Sequence, residues 1–271
     1  MERNTVSQIG YAPVNGLDLY YEIHGQGYPL ILLHGGLGVN SMFGEVLPLL
    51  AQSNQVIAVE LQGHGHTADI DRPLRFEFMG DDIAALIHHL GLEKVNIMGY
   101  SLGAGAALRT AIQHPELVNK LVLVSIAFKR EGNYPEVINS MMQVSGAIAE
   151  YMKPSPVYQE YMRIAPHPEN FAHLLDKVGD LLRQDYDWTD GVTGVTMPTM
   201  LVYGDADSTP PTHAAEFFGL LGGGQRDGGL DGSGMSSSRL AILPGKTHYT
   251  ICDDLALGTA VLPFLNSETG G

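Results

Sequence analysis

Apolar runs and polar breaks alternate along the first half of the chain with a regular rhythm. Residues 17–23 (LDLYYEI) and 30–33 (LILL) read as strands, the second a continuous apolar run of the kind buried on both faces of a sheet. A helix is expected from a Ser41 cap to about Gln52, with Pro48 irregular within it, and then a strand over 55–60 (QVIAVE). Residues 76–90 place Met79, Ile83, Leu86, Ile87 and Leu90 on one helical face, with Gly91 as the stop; His88 and His89 fall off that face, toward solvent. A strand at 94–98, a helix at 102–114 ended by Pro115, and a strand at 120–126 (KLVLVSI) follow. Strands separated by helices of this length form βαβ units, which build a mostly parallel sheet covered by helices on both faces.

The rhythm breaks at about Ala127. From 127 to 195 the pattern is mainly helical and rich in Met and Tyr (Tyr134, Met141, Met142, Tyr151, Met152, Tyr158, Tyr161, Met162), with Pro154, Pro156, Pro166 and Pro168 between segments. Some of these side chains are expected to line an adaptable apolar pocket. A strand at 199–203 (TMLVY), a helix at 211–221 and a last strand at 239–243 (RLAIL) restore the earlier rhythm. The expected organisation is an α/β core of residues 1–126 and 196–271 with a helical cap, 127–195, inserted into it. Residues 222–238 (GGGQRDGGLDGSGMSSS) read as a flexible surface loop.

Charge narrows the partners. Fifteen basic against thirty acidic residues give a net charge of −15, which repels phosphate backbones and anionic lipid, so neither nucleic acid nor a membrane surface is an expected partner. No apolar run approaches the roughly 18–20 residues of a membrane span. The start, MERNTVSQIGYAPV, lacks the basic and apolar regions of a secretory signal, and the single Cys252 cannot form an intramolecular disulfide. Both features point to a cytoplasmic protein.

The chemistry is concentrated at strand ends. Gly99-Tyr100-Ser101-Leu102-Gly103 matches G-x-S-x-G between a strand and an Ala-rich helix, where a sharp turn would hold Ser101 in a strained backbone conformation. A dinucleotide-binding reading of the same glycines fails, because position 108 is Leu108 and the glycines fall inside the helix. A serine hydroxyl attacks only when a base takes its proton and an acid orients the base. His248, on the loop after the last strand, can supply the base, and Asp205 or Asp207, after the preceding strand, the acid. A glycine loop, His34-Gly35-Gly36-Leu37-Gly38, and the amide of Leu102 at a helix N-terminus offer donors for an oxyanion.

With these motifs in place the chain resembles the α/β-hydrolase superfamily over nearly its whole length, through HGGLG at 34–38, GHGHT at 63–67, GYSLG at 99–103, GDADSTP at 204–210 and GKTHY at 245–249. The resemblance implies an α/β-hydrolase fold and a catalytic triad of Ser101, Asp207 and His248. It also implies an oxyanion hole made by the amides of Gly36 and Leu102. Many relatives carry Asp-x-x-Gly-x-Gly-x-Ser where this chain has Glu60-Leu61-Gln62-Gly63-His64-Gly65-His66-Thr67, a loop that is structural in the family. Relatives that open epoxides or cleave carbon–halogen bonds use an aspartate nucleophile, so Ser101 argues against those reactions. His64 and His66, with Asp69 and Asp71 nearby, are expected to be solvated rather than metal-binding, and Cys252 to be a small buried apolar side chain. No cofactor or metal is expected. The expected activity is hydrolysis of small to medium, neutral, fairly apolar carboxylic esters. The alternatives are a lactonase for acyl-homoserine or similar lactones, a cofactor-free perhydrolase or haloperoxidase, and a non-catalytic receptor on the same scaffold.

Overall fold

The computed structural model describes residues 6–267 and contains one eight-stranded sheet. Its strands are β1 (Gln8–Val14), β2 (Leu17–His24), β3 (Tyr28–Leu33), β4 (Asn54–Val59), β5 (Val95–Tyr100), β6 (Val118–Val124), β7 (Thr199–Ala206) and β8 (Arg239–Thr247). They lie in the order β1-β2-β4-β3-β5-β6-β7-β8; β1 and β2 are antiparallel and every pairing from β4 to β8 is parallel. The inner strands are buried on both faces, as their unbroken apolar runs require.

Side chains alternate between the two faces, as the pleat dictates. Ile31 and Leu33 join one core cluster and Leu30 and Leu32 the other. The first cluster takes in α2 (Phe76–His89), α3 (Leu102–Gln113) and α9 (Pro211–Leu220). The second is covered by α1 (Val46–Leu50) and α10 (Leu255–Asn266). Between β6 and β7 run α4 (Pro135–Met141), α5 (Ala149–Met152), α6 (Pro156–Ile164), α7 (Phe171–Arg183) and α8 (Thr189–Thr193). Of these, α7 packs most deeply, through Leu174, Leu175, Val178 and Leu181, whereas α4 and α5 contribute no buried residue.

The helix expected from Ser41 to Gln52 is broken. A 3-10 turn at Asn40–Phe43 ends at Gly44, with φ of 44°, and α1 starts only at Val46; Ser41 caps nothing. This late start puts Pro48 in the first turn of α1, where its missing N–H would have had no helical partner. Two elements were not anticipated, the edge strand β1 and the helix α10. The last is closed by Lys120, whose buried ammonium donates to the carbonyls of Phe264 (2.9 Å), Leu265 (3.2 Å) and Ser267 and to Ser267 Oγ (3.0 Å). Among the described residues, no helix is long and apolar enough to cross a membrane.

Candidate active site

Six parallel strands each end one residue before a polar side chain. In spatial order from β4 to β8 these are Glu60, His34, Ser101, Ser125, Asp207 and His248. This row forms at the carboxyl edge of the sheet, where open α/β sheets place their ligands. The parallel ladder carries one step past the strands, since Ser101 N–H donates to Val124 O (2.9 Å) and Ser125 N–H to Val202 O (2.9 Å).

Ser101 has φ of 53° and ψ of −116° at the N-cap of α3, the strained turn anticipated from the motif. The motif glycines are required by close packing. A Cβ on Gly99 would lie 2.2 Å from Gly103 O, and one on Gly103 would lie 2.4 Å from both His34 O and Leu33 O. Ser101 Oγ lies 3.0 Å from His248 Nε2, and His248 Nδ1 lies 3.0 Å from Asp207 Oδ1. A carboxylate only accepts, so Nδ1 carries the proton and Nε2 is left to accept from the serine hydroxyl.

The Asp207 carboxylate is fully buried and saturated with donors. Oδ1 accepts from Ser208 N–H (2.7 Å) and Ser208 Oγ (3.2 Å) as well as His248; Oδ2 accepts from Ser125 Oγ (2.5 Å) and Gly204 N–H (3.0 Å). Burial alone would raise its pKa, but the contacts from His248, Ser125 and Gly204 outweigh it and hold the carboxyl below its ordinary range. Asp205, the other aspartate of the strand end, is exposed and accepts instead from Gly245 N–H (2.8 Å). Among the described residues it forms no hydrogen bond with His248, whose Nδ1 faces Asp207. Ser208 adds a further link, its Oγ 3.0 Å from His248 Nδ1.

The glycine loop is anchored by His34. Its Nε2 accepts from Leu61 N–H (3.0 Å), so Nδ1–H donates to Gly35 O (2.8 Å). Burial, and then the neighbouring His64, push the His34 pKa down to about 3. His64 is not solvated as expected: it is 1% exposed, donates from Nδ1 to Gln62 O (2.9 Å), and leaves Nε2 without a partner. Burial takes its pKa down to about 4. His66 is half-buried, bonded through Nδ1 to Glu60 Oε2 (2.8 Å) and stacked on Tyr20. Among the described residues, no three His, Cys, Asp or Glu side chains converge as metal ligands. Cys252 is buried, and burial lifts its thiol to about 11.

Ser101, Leu102, Gly36 and His248 border one cavity of about 390 Å³. Its wall is largely apolar and drawn from α4, α7, the segment after α7 and the strand ends, including Val137, Met141, Val178, Leu181, Leu182 and Tyr186. Of the eight Met and Tyr residues singled out between 127 and 195, only Met141 borders it. Tyr158 and Tyr161 pack on Phe171 instead, and Tyr151 is 86% exposed.

A sequence model described as the alpha/beta hydrolase fold matches residues 28–192, more than half of the chain. The chain belongs to this family. The matched region includes Gly36 and Ser101 but ends before Asp207 and His248. A soluble epoxide hydrolase of a Corynebacterium species is 35% identical over 118 residues, which are 42% of this chain and 40% of that protein. A non-heme haloperoxidase of Rhodococcus erythropolis is 25% identical over 264 residues, 86% of this chain and 90% of its own. The alpha/beta hydrolase fold is shared across the whole molecule with the carboxylesterase CesB of Bacillus subtilis, at a TM-score of 0.75 and 18% identity, covering 97% of this chain and 93% of that one.

Proposed function

We propose that this protein is a serine hydrolase that cleaves carboxylic esters, open-chain or cyclic, through a covalent acyl-enzyme. The observation that carries the reading is the unbroken chain from Ser101 Oγ through the His248 ring to Asp207, with both links at 3.0 Å and the serine facing a largely apolar cavity. In this reading Ser101 Oγ attacks the ester carbonyl while His248 Nε2 takes its proton. The amides of Gly36 and Leu102 then hold the tetrahedral oxyanion. The carbon–oxygen bond to the alcohol breaks as His248 returns the proton to the leaving alkoxide; in a lactone that alcohol stays attached to the acyl group. Water, deprotonated by the same imidazole, attacks the acyl-serine and frees the acid. The segment 127–195 acts as a cap that shapes the acyl site.

The experiment is covalent labelling with a fluorophosphonate, peptide mapping of the label, and kinetics on p-nitrophenyl esters. Label is expected on Ser101, and Ser101→Ala is expected to lower kcat on the order of 10⁶-fold, as when a triad acts as a unit. Asp207→Asn is expected to cost about 10⁴-fold by trapping the wrong imidazole tautomer, and Asp205→Asn less than about tenfold. Activity of Ser101→Ala within tenfold of the wild type, or the reverse ranking of the two aspartates, would refute the assignment.

A further inference from the structure

One guanidinium is set into the apolar wall of the cavity that Ser101 faces. We propose that Arg130 receives a carboxylate carried by the substrate, so that the ester or lactone cleaved is an anion. This deepens the serine-hydrolase reading above and rests on it.

Arg130 is half-buried and, among the described residues, pairs with no carboxylate. Its Nη1 donates to Arg183 O (3.1 Å), and its Nη2 lies 2.8 Å from Met142 Sδ, a weak acceptor. A guanidinium has five N–H donors, so most of them meet no protein acceptor. Arg72, Arg75, Arg109 and Arg163 each hold a carboxylate, and Arg183, Arg226 and Arg239 donate to backbone carbonyls; among the described residues, Arg130 is the arginine that borders the cavity. Glu136 borders the same cavity but is exposed and forms no ion pair with Arg130, so water screens its charge. A planar fork held against an apolar wall is a ready match for a carboxylate.

The backbone that carries Arg130 is also tied to the loop of the reacting groups. Arg130 N–H donates to Tyr186 O (3.0 Å), and Arg130 O accepts from Asn133 N–H and Nδ2, both at 3.2 Å. Asn133 Oδ1 in turn accepts from Thr209 Oγ1 (3.2 Å), and Tyr134 N–H donates to Ser208 O (3.1 Å). The turn bearing Arg130 is thus bonded directly to the loop bearing Asp207, which places the Arg130 backbone relative to that loop, while Arg183 O orients the guanidinium. Fixed placement of this kind is what selective binding needs. The net surface charge slows the approach of anions, but it acts outside the cavity, where salt screens it.

The test compares matched esters that differ only in a terminal carboxylate. For the acyl side the pair is the p-nitrophenyl monoester of adipic acid against p-nitrophenyl hexanoate; for the alcohol side, 6-acetoxyhexanoate against hexyl acetate. The carboxylate member of at least one pair is expected to have a kcat/KM roughly tenfold higher or more, as a charge-assisted contact gives. Arg130→Met should bring that ratio to within about threefold of one, and Arg130→Lys should keep part of it, since a point charge replaces the fork. Preference for the neutral member in both pairs, or a ratio that survives Arg130→Met, overturns the proposal. Should Arg130→Met fail to fold, inhibition of the wild type decides. Free adipate should inhibit at least about tenfold more strongly than hexanoate, and equal inhibition overturns the proposal. Ser101-dependent hydrolysis with no carboxylate preference removes the subsite and leaves the hydrolase reading standing. No hydrolysis of any of the four esters removes both.

Discussion

Two serines with left-handed backbone stand side by side at the carboxyl edge of the sheet, Ser101 with φ of 53° after β5 and Ser125 with φ of 56° after β6. Such a conformation costs a non-glycine residue of order 1–3 kcal/mol and persists where the surroundings impose it. For Ser125 the result is a buried hydroxyl 2.5 Å from Asp207 Oδ2, on the side of the carboxylate away from His248. Ser125→Ala would leave that oxygen with Gly204 N–H alone. With one donor fewer, the carboxylate is held less firmly in place behind His248, so kcat is expected to fall by roughly tenfold, with Ser125→Thr restoring most of it. A kcat equal to that of the wild type in Ser125→Ala would show that Ser125 only fills space. Ser101 and His248 were legible because each sits in a distinctive run of glycines or at a strand end. The residues alone left Asp205 and Asp207 open, and only the family resemblance pointed to Asp207; Asp205 is the penultimate residue of β7 and Asp207 the first beyond it. Ser125 was hidden as an ordinary serine closing a valine-rich strand.

At the scale of elements, the apolar period found the inner strands and α2, α3 and α9, because each buries a continuous run or a clean stripe. It missed β1, an edge strand with only Ala12 and Val14 buried, where Gly10 and Pro13 interrupt the alternation. It also missed α10, whose sequence LALGTAVLPFLN is apolar all round and contains both Gly and Pro, so no face stands out. What secures α10 is tertiary. Lys120, from the middle of β6, supplies donors to carbonyls that the end of a helix leaves unpaired. Lys120→Met should keep the apolar stem and lose those contacts, lowering stability by about 1–3 kcal/mol. The midpoint of urea unfolding reads this directly; a midpoint equal to that of the wild type would mean that water satisfies those carbonyls equally well.

Across the whole molecule, the two buried histidines behind the glycine loop set a dependence on acid. His34 and His64 titrate at about 3 and about 4 in the fold, whereas an unfolded imidazole takes its proton near pH 6.5. Their folded pKa values are depressed, so their neutral forms support the fold above about pH 6.5 and this support is lost as pH falls toward 4. Each histidine contributes a slope of up to about 1.4 kcal/mol per pH unit in that window. Urea midpoints should fall between pH 7 and pH 5, and fall less in His64→Gln; identical pH dependence in the variant would contradict a buried neutral His64. Family membership follows from motifs spread along the chain, whereas of the eight methionines and tyrosines from which some of the wall was expected only Met141 borders the cavity. Periodicity places methionines and tyrosines on a helix, but it does not say which helix turns its face to the serine.

The wall and the floor of that cavity are built to different tolerances. Ser125 and Leu102 belong to the buried core, while α4 lends Val137 and Met141 to the cavity without burying one residue. Substitutions along α4 can therefore change which molecules are accepted with little penalty to folding, whereas substitutions beneath the serine put both at risk. On the proposed reading, selectivity would sit in a thin outer shell and reactivity in the core, so that one can be exchanged without rebuilding the other.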